Sequence, residues 1–95
     1  MRVVWSPQSI NDISALRAFI AVESPVAAKR ISLRIVDTVE SLLSFNPEAG
    51  RKGRVPKTRE LVVARTPFVV AYRINDTTIE VLRVFHGSRR WPDRL

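Results

Sequence analysis

The spacing of apolar positions changes twice along the chain. Residues 2–5 alternate weakly and are rich in Val and Trp, which predicts a short first strand with Trp5 in the core. From Ser6-Pro7 the spacing lengthens to three and four, so that Ile10, Ile13, Leu16 and Ile20 fall on one face of a helix. Ser24-Pro25 repeats the same start signal. A serine there caps free amides, and a proline at the first helical position gives up an N–H that had no partner. This start opens a longer helix whose stripe is Ala28, Ile31, Ile35, Val39 and Leu42, widened by Leu33, Val36 and Leu43 and opposed by Arg30, Arg34, Asp37 and Ser41. Two amphipathic helices joined so tightly form an antiparallel hairpin. The second is expected to stop near Asn46-Pro47, because the residue before a proline is pushed out of the helical region.

Residues 48–57 read as a loop with two glycines, Pro56 and the basic Arg51, Lys52, Arg54 and Lys57. The period then drops to two. Strands are predicted over 58–65, ending at the turn signal Thr66-Pro67, then over 68–74, and over 78–85 after the tight turn Asn75-Asp76-Thr77. With Asp76-Thr77 as a two-residue loop, Arg73 faces Glu80, Ala71 faces Leu82 and Val69 faces Val84. An opposite-charge pair across strands is favourable by up to ~1 kcal/mol, so this register is chemically sensible. Phe68, Val70, Tyr72, Ile74, Ile79 and Val81 then share the other face, expected to lie under the helices. Arg83 falls on that same apolar face, an awkward place that a pairing with Glu60 at the core's edge would relieve. The element order is β-α-α-β-β-β: an α+β fold in which an N-terminal strand and an antiparallel helical hairpin pack on a mainly antiparallel sheet.

Ninety-five residues with 45% hydrophobic and 26% charged side chains fit one domain, 1–95. The chain has no cysteine, which removes disulfides and thiolate metal sites. It has no apolar run of the ~18 residues that a membrane span needs. Nor does its start carry the apolar stretch of a secretion signal, so a soluble, cytoplasmic protein is expected. The net charge of +7 lies entirely in the second half. Residues 1–49 balance five basic side chains with five acids, whereas residues 50–95 set eleven against four. A field so placed attracts an anionic partner, either nucleic acid or an acidic protein.

The element order, Gly50-Arg51, the "TREL" of 58–61, Tyr72-Arg73 and the closing "LRVFHGSRRWP" together resemble the RelE/ParE superfamily, the toxins of bacterial type II toxin–antitoxin modules. The resemblance spans essentially the whole chain. It implies a small basic toxin that inhibits growth, serves plasmid stabilisation, and is neutralised in a hetero-oligomer by an antitoxin whose acidic C-terminal segment wraps over it. RelE-like members cleave mRNA inside the ribosome, with an arginine after the aromatic that opens a "Y-R-x-V-Y" strand. Here Phe68-Val69 stands at that place. A second arginine of that branch follows the last strand, where this chain has Gly87 after His86, and no tyrosine follows, since Tyr72 is the only one. ParE-like members, which poison DNA gyrase, commonly lack those residues, so the departures favour that branch. The ribosome with mRNA is the alternative target.

RNA cleavage requires activation of the 2′-hydroxyl, stabilisation of charge on the phosphate and protonation of the leaving oxygen. Arginines serve the second role, and Arg59, Arg65 and Arg73 are the candidates. His86 is the single obvious group for the other two, and one histidine cannot be acid and base at once without help. Arg51, Lys52, Arg54, Lys57 and Arg59 are candidates for contacting phosphates or an acidic antitoxin, against the plainer reading of a solvated loop. Arg89, Arg90 and Trp91 combine side chains over-represented at binding hot spots, and recognition is the expected role of this tail. Neither a glycine-rich phosphate loop nor clustered metal ligands occur, so no cofactor and no metal are expected.

Overall fold

The computed structural model describes residues 1–89. Strand β1 (Arg2–Trp5) leads into helices α1 (Pro7–Ala21) and α2 (Pro25–Asp37), and α2 continues through a π-helical segment, Thr38–Leu43. Strands β2 (Arg51–Lys52), β3 (Arg59–Val62), β4 (Phe68–Asn75) and β5 (Thr78–His86) follow. They form one sheet in the order β1-β5-β4-β3-β2, parallel only where β1 meets β5. The α+β architecture and the mainly antiparallel sheet are as the sequence predicts. One strand was not foreseen: β2 lies inside the stretch read as a loop, and its two residues pair with Glu60 and Arg59.

Both helices start as expected. Ser6 Oγ accepts from Ser9 N at 3.0 Å and Ser24 Oγ from Ala27 N at 3.1 Å, each before a proline. The core lies between the helices and the sheet. Ile35, Val39 and Leu43 pack on Val63, Val70, Tyr72, Ile79, Val81 and Val84. The predicted stripe of the second helix is corrected at its end: Leu43 is buried, whereas Leu42 and Leu33 are exposed. The first helix turns Ser9 inward, with Ile10 left exposed. Trp5 packs only partly against the core and donates its Nε1–H to Glu40 Oε1 at 2.9 Å.

The β4–β5 hairpin begins in the predicted register, with Arg73 facing Glu80 across the loop Asp76-Thr77. Beyond Tyr72–Val81 the pairing slips by one residue, so that Ala71 faces Arg83, Val70 faces Val84 and Val69 faces Phe85. The expected Ala71–Leu82 and Val69–Val84 pairs are therefore absent. Leu82 is the extra residue of a β-bulge, and an extra residue reverses which face every later side chain takes. The bulge removes Arg83 from the core face and puts Val84 on it.

Arg83 does not meet Glu60. It donates to both carboxylate oxygens of Asp12 on α1, at 2.7 and 3.0 Å. The edge of β5 explains the choice. β1 covers only Thr78–Val81, and past that point α1 takes over the open edge. Ser6 Oγ donates to Leu82 O at 2.8 Å, and Val84 N donates to Asp12 Oδ2 at 2.9 Å. Asp12 thus satisfies a strand amide and an arginine together, and the carboxylate holds the guanidinium in its charged form.

The fully buried Tyr72 fixes the other end of the sheet. Its hydroxyl donates to Pro47 O at 2.7 Å and accepts from Gly50 N at 2.9 Å, while burial pushes its pKa above the ordinary phenol value. A Cβ on Gly50 would sit 2.6 Å from that hydroxyl, so glycine is required there. Tyr72→Phe leaves a buried amide and a carbonyl without partners, and urea unfolding is expected to show a loss of about 1–3 kcal/mol.

Candidate functional site

The basic residues of the second half fall into two groups once folded. Glu60 on β3, only 2% exposed, is the anchor of the first. It accepts from Arg54 N at 2.7 Å and from Arg51 Nη2 at 3.3 Å, and Arg54 Nε lies 3.5 Å away. Arg59 faces the other way. Its Nη1 donates to Gly50 O at 2.8 Å, and its Nη2 to the Glu48 carboxylate at 3.3 Å. Three of the predicted contact arginines therefore hold their own loop in place. Lys52 and Lys57, also exposed, form no ion pair among the described residues.

The loop itself is tightly built. Gly53 N donates to Thr58 O at 2.7 Å, and Thr58 Oγ1 donates to Val55 O at 2.6 Å. A Cβ on Gly53 would lie 2.2 Å from Thr58 Oγ1 and 2.9 Å from its backbone, an approach only glycine permits.

The nuclease candidates do not converge. Arg59 begins β3 and pairs in register with Tyr72, next to Arg73. Arg73 is bonded to Glu80 at 3.0 and 3.3 Å, and that pairing holds the exposed Glu80 carboxyl below its usual range. Arg65 and His86 lie at the opposite end of the sheet, where the Val63–Thr66 turn leads into Phe68 and Phe68 pairs with His86. The length of β3, about 13 Å for four residues, separates the two ends. The His86 Nδ1 accepts from Ser88 N at 3.3 Å and lies 2.8 Å from Ser88 Oγ. Because the backbone N–H can only donate, this arrangement places the proton of the neutral ring on Nε2. Phe68 meets the imidazole edge-on at 5.6 Å.

One concave feature escaped the sequence reading. Between α1 and the end of β5 lies a groove of about 660 Å³. Leu16, Phe19, Ile20 and Phe68 supply apolar lining, and Arg83, His86 and Arg89 supply basic groups. Phe19 is 72% exposed. Its signal in the sequence was an aromatic one position away from the Ile10–Ile20 stripe. Of the predicted tail, Arg89 reaches this groove and its amide donates to His86 O at 3.0 Å. Arg90 and Trp91 lie outside the described residues.

Residues 3–91 match the family model described as the ParE toxin of the type II toxin–antitoxin system parDE. The chain belongs to the ParE toxin family. Among curated relatives it is 36% identical over 94 residues to "Putative toxin Y4kP" of Sinorhizobium fredii, covering 99% of this chain and 96% of that protein. It is also 36% identical over 88 residues to "Toxin RelE2" of Caulobacter vibrioides, covering 93% and 97%. Among solved structures, the chromosomal ParDE system of P. aeruginosa superposes with a TM-score of 0.82 at 30% identity, over 90% of this chain and 95% of that one. The RelBE2 toxin–antitoxin complex of Mycobacterium tuberculosis gives 0.66 at 27% identity, with the same coverage. The protein is thus a type II toxin of the ParE/RelE superfamily.

Glu60 is the test of how the basic loop is held. Glu60→Ala leaves two arginines and an amide facing an emptied site, and a loss of about 3 kcal/mol is expected in urea unfolding. Limited proteolysis should show new cleavage at Arg54 and Lys57 while the β4–β5 hairpin stays intact.

Proposed function

We propose that this toxin arrests growth by docking on DNA gyrase in the cytoplasm, without breaking a phosphodiester itself. The observation that carries this reading is the separation of Arg59 and Arg73 from Arg65 and His86 at opposite ends of the sheet. Arg59 and Arg73 are further committed to Glu48, Gly50 and Glu80. Acid, base and phosphate-binding groups must surround one scissile bond, and these four do not. The match to the ParE family model and the higher TM-score with the ParDE structure support the same branch. The expected outcome is that purified toxin blocks supercoiling by gyrase of the same organism at stoichiometric amounts. Unimpaired supercoiling rejects the proposal.

The likeness to "Toxin RelE2" favours a second reading, ribosome-dependent mRNA cleavage. It requires transcripts cut at codon boundaries after induction, whereas docking on gyrase leaves them intact and stops DNA synthesis first.

The antitoxin's acidic segment is assigned to the groove beside α1. An apolar floor and a basic rim fit an amphipathic acidic chain, and buried aromatic anchors dominate such interfaces. Phe19 is exposed, so Phe19→Asp should fold normally. It is expected to weaken antitoxin binding at least tenfold by calorimetry, so that co-expressed antitoxin no longer rescues growth.

A further inference from the structure

The two turns that flank β3 share an unusual feature. In each, the amide of the fourth residue donates to the carbonyl of the first: Thr58 N to Val55 O at 3.2 Å, and Thr66 N to Val63 O at 3.1 Å. In each, the third residue is left-handed, Lys57 at φ 67° and Arg65 at φ 62°. That position of a turn belongs to glycine, because a Cβ crowds the backbone there, and asparagine or aspartate is the usual substitute. The third left-handed side chain of the described residues, Asp76, obeys this rule. Lys57 and Arg65 do not. Both are exposed, and neither forms an ion pair or side-chain hydrogen bond among the described residues. A long cation that gains nothing within the fold sits twice where glycine would be more stable. Strain of this kind collects where a side chain is needed by something outside the fold.

We propose that Lys57 and Arg65, with Lys52 on β2 near the Lys57 end of β3, contact the phosphodiester backbone of a nucleic acid. Three features point to phosphates ahead of a protein surface. The cations stand apart along a strand, at the two ends of β3, a spacing suited to a linear polymer of repeating charge. The surface is poor in apolar anchors: Val55 is half-buried, and only Pro56, Val62 and the small Ala64 are exposed. No aromatic stands among residues 51–65, whereas protein interfaces centre on large aromatic anchors and are depleted of lysine. The loop is also held before any partner arrives, by Glu60 and the Gly53–Thr58 bond, so little ordering is lost on contact. This inference does not depend on the docking target proposed above.

The test sets stability against binding. Lys57→Gly and Arg65→Gly remove both strain and charge, and each is expected to raise Tm by about 2–5 °C. Lys57→Ala and Arg65→Ala remove the charge alone and should leave Tm nearly unchanged. Binding of the full chain is read by fluorescence anisotropy on a labelled 20-bp DNA duplex and, separately, on a 20-nucleotide single-stranded RNA, across a salt series. All four variants should weaken binding roughly eightfold at 0.1 M salt and reduce the salt slope by about 0.9 on duplex or 0.7 on single strand. Binding to one probe alone identifies the nucleic acid, and Lys57→Arg should retain it. The proposal is overturned if wild-type chain shows no salt-dependent binding to either probe, or if the variants keep its affinity and slope. Either result assigns these cations to an acidic protein surface or to none.

Discussion

The fold turns on one requirement: β5 must keep an apolar face toward the helices through a sequence that breaks its own alternation. Ile79 and Val81 keep a period of two, and strict continuation would bury Arg83. Burying an unpaired guanidinium costs several kcal/mol, far more than disrupting one step of a hydrogen-bond ladder. The bulge at Leu82 is the cheaper solution, and its consequences spread. Val84 enters the core, Arg83 comes to the open edge of the strand, and Asp12 closes that edge by accepting from both the guanidinium and Val84 N. The clamp fixes α1 against β5 and thereby shapes the groove that ends at His86 and Arg89.

Electrostatics divides the basic half in a comparable way. A carboxylate as buried as Glu60 is tolerated only with donors around it, and Arg51 and Arg54 supply them. Those arginines are tied to Glu60 although their side chains remain partly open to solvent, while the lysines beside them form no ion pair among the described residues. Net charge in the sequence therefore overstates the surface open to a partner. What remains is a smaller set of cations without an ion pair among the described residues, on a loop whose shape is already set.

Much of this was legible in the residues. The two Ser-Pro helix starts, the hairpin turn and the Arg73–Glu80 pair each rest on chemistry within a few positions of sequence. The misreadings share a different cause. Two residues of β2 are too few to show a period, and they pair only because Glu60 gathers the loop. The misfit of Arg83 on the apolar face was visible, but Leu82 looks like an ordinary strand residue and the partner that receives Arg83 after the bulge is Asp12, distant in sequence. Phe19 and Glu60 did leave signals, an aromatic beside the helical stripe and a lone acid after a run of five basic residues. Their meaning depended on what the fold placed opposite them.

These constraints leave the molecule with two different surfaces. At one end of the sheet an apolar groove with a basic rim has the character of a site for a folded or folding peptide, where affinity would come from excluding water around the exposed Phe19. Along β3, isolated cations on rigid turns have the character of a site for distributed negative charge, where affinity comes from counterion release and falls steeply with salt. Because Arg65 precedes Pro67, whose carbonyl accepts from Gly87 N at 2.7 Å, the two surfaces share a border where the Val63–Thr66 turn meets the end of β5. A chain seated in the groove would lie beside one of the strained cations, Arg65. An acidic chain that followed the groove toward that border would meet the charge of Arg65 without any large rearrangement of the fold.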